Sequence, residues 1–114
     1  MNGTDIRYII EYTRTNGGCT VASGSISESS TGYVVGGKVP TVIVPESDTV
    51  ALHNTIVQFA NTYDSYGTWL HDGNVYIDAI DILYDRDSAI ALGRARGELA
   101  IYDIANGCDI DTSN

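Results

Sequence analysis

The dipeptide Asp72-Gly73 stands between two largely apolar stretches, Gly67-Thr68-Trp69-Leu70 and residues 75–83, and this arrangement limits the fold more tightly than any other in the chain. A short Asp-Gly connection suits a type I′ turn, whose positive φ angles match the right-handed twist of paired strands. The two stretches are therefore predicted to form a β-hairpin. Its turn also fixes the register, with residue 70 opposite 75 and residue 69 opposite 76. Alternation then sets Trp69, Tyr76 and Asp78 on one face and Ile77, Ala79 and Asp81 on the other.

Around this hairpin the pattern alternates between sheet and helix. In Ile6-Arg7-Tyr8-Ile9-Ile10-Glu11-Tyr12 the residues Ile6, Tyr8, Ile10 and Tyr12 repeat with period two, which predicts a first strand. Asn16-Gly17-Gly18 breaks it, residues 19–26 offer a weaker strand, and Ser27-Glu28-Ser29-Ser30-Thr31-Gly32 reads as a mobile loop. Tyr33-Val34-Val35, Gly36-Gly37 and residues 39–44 predict a hairpin, with Pro40 arguing for an edge strand because it has no amide to donate.

A helix then opens after Pro45, capped by Ser47 or Asp48, with Leu52, Ile56, Phe59, Ala60 and Tyr63 on one face. A second runs from a cap at Asp85 or Asp87 to about Arg96, where Gly97 suits the left-handed position that ends a helix. Leu99-Ala100-Ile101-Tyr102-Asp103-Ile104 is the last predicted strand, and Asn106-Gly107 begins a polar tail. The expectation is an α+β chain, a single domain over 1–114, in which a largely antiparallel sheet is packed by two helices and closes with a C-terminal β-α-β unit.

Composition narrows the functional classes. With 114 residues, 43% of them hydrophobic, the chain has enough apolar surface to build a core without staples. Six Lys plus Arg against fifteen Asp plus Glu leave a net charge of −9. That charge opposes binding to extended nucleic acid or an anionic membrane, since a phosphate backbone requires a positive field. No stretch approaches the length of a membrane span and the start lacks the marks of a secretory signal, so a cytoplasmic location is expected. Cys19 and Cys108 are far apart in sequence and read as two free thiols.

The chemistry-bearing residues are few. His53 and His71 are the only histidines, and neither has a partner at metal-ligand spacing. Asp72, Asp78, Asp81, Asp85 and Asp87 do not follow the order of a calcium loop. No catalytic motif is present, so neither enzymatic activity nor a bound metal or cofactor is expected. Cations are unevenly placed: Arg86, Arg94 and Arg96 fall in or beside one short helix, while residues 39–85 contain no Lys or Arg. Arginines there suit the negative end of the helix dipole, and a guanidinium can equally hold a phosphate or stack on a base. Trp69 is the sole tryptophan. An indole in a small domain reads as core, but beside Asp78 or Asp81 and with Arg94 and Arg96 it would instead make a pocket for a nucleotide.

Gly67-Thr68-Trp69-Leu70-His71-Asp72-Gly73-Asn74-Val75-Tyr76-Ile77-Asp78, then Asp85-Arg86-Asp87-Ser88-Ala89-Ile90-Ala91-Leu92-Gly93-Arg94 and Ala100-Ile101-Tyr102-Asp103-Ile104, resemble the phage- and prophage-encoded Thoeris anti-defence sponge family. Such sponges sequester cyclic ADP-ribose signals made by bacterial TIR-domain proteins without cleaving them. Some hold cyclic oligonucleotides, and they form dimers or larger oligomers. By position, the resemblance implies that Trp69 stacks on adenine, that Arg96 covers its other side or its phosphate, and that Asp81 contacts base or ribose. Ala79 stands where a side-chain amide would be expected. Strand alternation favours Asp78 over Asp81 as the neighbour of Trp69, so both acids are candidates.

The resemblance therefore implies stoichiometric capture of a small cyclic nucleotide by a homo-oligomer in the cytoplasm of an infected bacterium. The alternative is an acidic inhibitor that occupies the nucleic-acid groove of a host nuclease or a CRISPR-type defence complex, which the charge of −9 would suit.

Overall fold

The computed structural model describes residues 6–27 and 29–113. They form three helices and two antiparallel sheets, an α+β architecture. The chain divides into two compact units. The described residues within Met1–Ser27 and Thr41–Ala79 make the first, and those within Glu28–Pro40 and Ile80–Asn114 the second.

The first unit begins with helix α1, Ile6–Asn16, where the sequence predicts a strand. Ile6, Ile9, Ile10 and Thr13 are its buried residues, spaced three and four apart, while Tyr8 is exposed. In a run this rich in isoleucine the two-residue and 3.6-residue periods overlap, and packing decides between them. The helix ends at Gly17, whose φ is +84° and whose amide donates to the Thr13 carbonyl.

Strand β1, Gly18–Ala22, follows and turns through Ser23 and Gly24, both at positive φ, into β2, Ser25–Ile26. The single weak strand expected over 19–26 is thus a small hairpin. After an excursion through the second unit come strand β4, Val42–Pro45, and helix α2, Thr49–Thr62. The Asp48 carboxylate caps α2 by accepting from the Ala51 amide at 3.1 Å. Strands β5, Ser65–His71, and β6, Asn74–Ala79, complete a sheet ordered β2-β1-β5-β6-β4. Asp72 (φ +49°) and Gly73 (φ +78°) make the predicted turn, and Leu70 pairs with Val75 and Trp69 with Tyr76.

Helices α1 and α2 pack on one face of this sheet. Between them lie Leu52, Ile56 and Phe59 from α2 and Val21, Tyr66, Val75, Ile77 and Ala79 from the strands, all buried. Each large aliphatic side chain removed from water here contributes about 1.5–3 kcal/mol. The hydroxyls of Thr13 and Thr68 share a buried hydrogen bond of 2.6 Å, so α1 is tied to the centre of β5 by a polar contact as well.

The second unit holds β3, Tyr33–Val35, β7, Asp81–Leu83, helix α3, Arg86–Ala95, β8, Ala100–Asp103, and β9, Cys108–Asp111, in the sheet order β7-β3-β8-β9. β7 and β8 both run antiparallel to the β3 between them, so β7-α3-β8 is a β-α-β unit split by one strand. Val35, Ala89 and Ile101 form its core, with Tyr33, Leu83, Ile90, Leu92 and Ile110 around them.

Three further expectations are corrected here. Residues 33–44 are not a hairpin, because β3 pairs with β7 and β8 while β4 pairs with β6. The stretch 75–83 is not one strand, since Ile80 separates β6 from β7 and the two join different sheets. The polar tail after Asn106-Gly107 is a strand, with Gly107 at φ +62° in the turn between β8 and β9. The first two depend on pairings between distant segments, which local pattern does not encode, whereas β8 and β9 form a local hairpin. Among the described residues no helix is long and apolar enough to cross a membrane.

Candidate functional site

Alternation along β5 divides its side chains cleanly. Tyr66 and Thr68 are buried under the helices, whereas Trp69 and His71 are exposed, with Trp69 at 55% of its full accessibility. β6 follows the same rule, burying Val75, Ile77 and Ala79 and leaving Asn74, Tyr76 and Asp78 half-exposed on the face away from the helices. Trp69 is therefore not a core residue. Ala79, the departure from the resembled pattern, is fully buried on the helix-covered side.

On the helix-free face Trp69 has four near neighbours by register. His71 lies two residues on and Gly67 two residues back along β5; Tyr76 is opposite on β6 and Gly18 opposite on β1. The imidazole of His71 stacks on the indole with centroids 4.8 Å apart and planes at 13°. Tyr76 leans against it at 5.4 Å and 43°. Stacking on His71 occupies one face of the indole, and the next residue of this sheet face in the other direction along β5, Gly67, has no side chain. Gly18 is required as well, since a Cβ there would meet the Thr68 carbonyl oxygen at 2.9 Å. The two glycines leave a strip of bare backbone beside the indole, flanked at Gly67 by Thr20 on β1 and Asp78 on β6.

Asp78 pairs with Gly67 across the β5–β6 ladder and so stands at the edge of that strip. Its Oδ1 accepts a hydrogen bond from the Thr41 hydroxyl. Among the described residues no bond reaches Oδ2. At the hairpin end His71 Nε2 lies 3.2 Å from Asp72 Oδ2, with both side chains largely in solvent. Ile43, opposite Tyr76 on β4, extends the apolar row to the sheet edge.

Asp81, Arg94 and Arg96 belong to the second unit. Arg96 caps the C-terminus of α3 and is well shielded: its NH2 donates to Asp81 Oδ2 at 2.5 Å, and its NH1 lies 3.4 Å from the Val35 carbonyl and 3.3 Å from that of Gly36. Lys38 Nζ approaches Asp81 Oδ1 at 3.5 Å. The Arg96 hydrogen bond, with Lys38 beside it, holds the Asp81 carboxyl below its ordinary range although partial burial works the other way. Arg94, in the last turn of α3, is exposed and adds a favourable field at Asp111.

The candidates thus fall into two groups. Trp69 and Asp78 come together on the open face of the first sheet, and Asp81 and Arg96 come together in the second unit, where the guanidinium also holds the β3 end to α3. Sequence reading passed over His71, Gly67 and Gly18. The signal for His71 was its spacing of two from Trp69, one residue beyond the predicted strand, and the glycines become informative once register places them beside the indole. Among the described residues no cluster of three or more His, Cys, Asp or Glu could hold a metal ion. Cys19 is buried and Cys108 exposed, both as free thiols. Compared with known proteins, the chain matches no protein family, no curated protein and no solved structure.

Proposed function

We propose that this protein binds a small cyclic nucleotide and holds it without cleaving it, by stacking the base on Trp69. One observation carries the reading: a solvent-exposed indole, stacked on one side by His71, with the bare backbone of Gly67 next to it along the strand and the Asp78 carboxylate across the ladder from that glycine. Base–aromatic stacking is worth about 1–3 kcal/mol per base, and an accepting carboxylate adds direction to it. A surface of this kind discriminates between ligands and retains them. The resemblance supplies the ligand class, cyclic ADP-ribose or a cyclic oligonucleotide, and with it the roles of a phage sponge and of self-association in a bacterial cytoplasm.

Retention is tested by incubating the protein with cyclic ADP-ribose and with a cyclic dinucleotide, removing unbound ligand, then denaturing by heat and identifying what is released. Intact ligand from the wild type and none from Trp69→Ala is the expected result. Cleaved products would make the protein an enzyme. Complete recovery of both compounds in the unbound fraction would favour an acidic inhibitor of another protein.

A further inference from the structure

The residues around the open face of Trp69 carry a statement about which base is held. A planar ring stacked there lies over Gly67, whose cross-strand neighbours are Asp78 on β6 and Thr20 on β1. On the β6 side the edge of the ring therefore meets a carboxylate. Thr41, the residue before β4, donates to Oδ1 and so fixes the side-chain torsion, while among the described residues nothing bonds to Oδ2. An ionised carboxylate only accepts, and each oxygen has room for two donors, so Oδ1 remains available beside Oδ2.

Bases differ in what they offer such a group. Guanine presents two adjacent donors, the ring N1–H and the exocyclic N2 amine, which run parallel and fit the two carboxylate oxygens. Adenine alternates a donor amine with a ring-nitrogen acceptor, whose lone pair would oppose a carboxylate oxygen. Hypoxanthine keeps N1–H but lacks the second donor. Resting on the stacking function proposed above, we infer that Asp78 is a specificity-determining residue that selects guanine, so that of the two ligand classes named there a guanine-bearing cyclic oligonucleotide is bound in preference to cyclic ADP-ribose, whose base is adenine.

The test uses mononucleotides as probes, with equilibrium dialysis of GMP, IMP and AMP against the full chain. The wild type is expected to bind GMP at least about tenfold more tightly than either of the others, as a bidentate pair provides. Asp78→Asn presents one acceptor and one donor, which match adenine's alternating edge, and should reverse the order so that AMP exceeds GMP. Asp78→Ala, with neither group, should level all three.

Equal binding of the three by the wild type overturns the selection, as does an Asp78→Asn variant that weakens all three alike. In either case a loss of binding in Trp69→Ala leaves the stacking site standing. If Trp69→Ala binds GMP as well as the wild type does, or if the wild type binds none of the probes, the stacking reading fails and the selection with it. Circular dichroism of each variant confirms that it is folded.

Discussion

At the scale of single residues, solvent exposure separates what binds from what supports. Trp69 and Tyr66 are aromatic neighbours on one strand with opposite fates, because their positions differ by an odd number and a strand turns alternate side chains to opposite faces. Tyr66 is fully buried, and its hydroxyl finds no partner among the described residues. Burial, with the Cys19 thiol nearby, pushes its pKa up to about 12; burial alone pushes that of Cys19 up to about 11. A buried hydroxyl without a partner costs about 1–3 kcal/mol, whereas a ring of the same shape without it costs nothing of the kind. Tyr66→Phe is therefore expected to fold as stably as the wild type or more so, by up to about 1 kcal/mol. A thermal melt checks this, and a midpoint lowered by several degrees would show that the hydroxyl is bonded.

At the scale of elements, helix and strand assignments were legible where punctuation was strong. Asp48 before α2, Asp85 before α3, Gly97 after it and Asp72-Gly73 between β5 and β6 each act as the sequence predicts. Asp85, for instance, accepts from both the amide and the hydroxyl of Ser88. The isoleucines of helix α1 satisfy either period, so its identity rested on the sheet it covers.

Helix α3 adds a second lesson. Replacing a glycine inside a helix by alanine ordinarily stabilises by up to about 1 kcal/mol. At Gly93, however, a Cβ would lie 2.8 Å from Ile101 Cγ2 and 3.3 Å from Thr112 Cγ2. Gly93→Ala is thus expected to destabilise by about 1–3 kcal/mol through overpacking. Urea denaturation measures it, and an increase in stability would mean that α3 can lift from β8 without penalty.

At the scale of the whole molecule, the acidic surplus and the paired carboxylates act in opposite directions. Self-repulsion from a charge of −9 is relieved by acid, but at physiological ionic strength it is screened beyond about 8 Å. The local effects are not. Asp81 is held below its ordinary value by Arg96, Asp85 by Ser88, and Asp111 by Ser113. The folded chain consequently binds fewer protons than the unfolded chain at acid pH. The stability this provides is present above the unfolded aspartate value, near 3.9, and disappears as pH falls through the lower folded values. Unfolding free energy in physiological salt should therefore fall between pH 5 and pH 2. Asp81→Asn should show a lower plateau at neutral pH and a shallower decline. Matching slopes in the two proteins would mean that the Arg96–Asp81 pair adds nothing to stability.

The sequence by itself determined the hairpin of β5 and β6, its register, the caps of α2 and α3, and the α+β class, because each depends on residues a few positions apart. It therefore also determined that Trp69, Tyr76 and Asp78 share a face. Tertiary structure alone decided which face the helices cover, and so that the indole meets solvent instead of core. The same holds for the division of β3 and β4 between two sheets and for the engagement of Arg96 with Asp81 and two backbone carbonyls. These outcomes depend on contacts between distant segments, whose energies arise only once the chain has closed the loops between them.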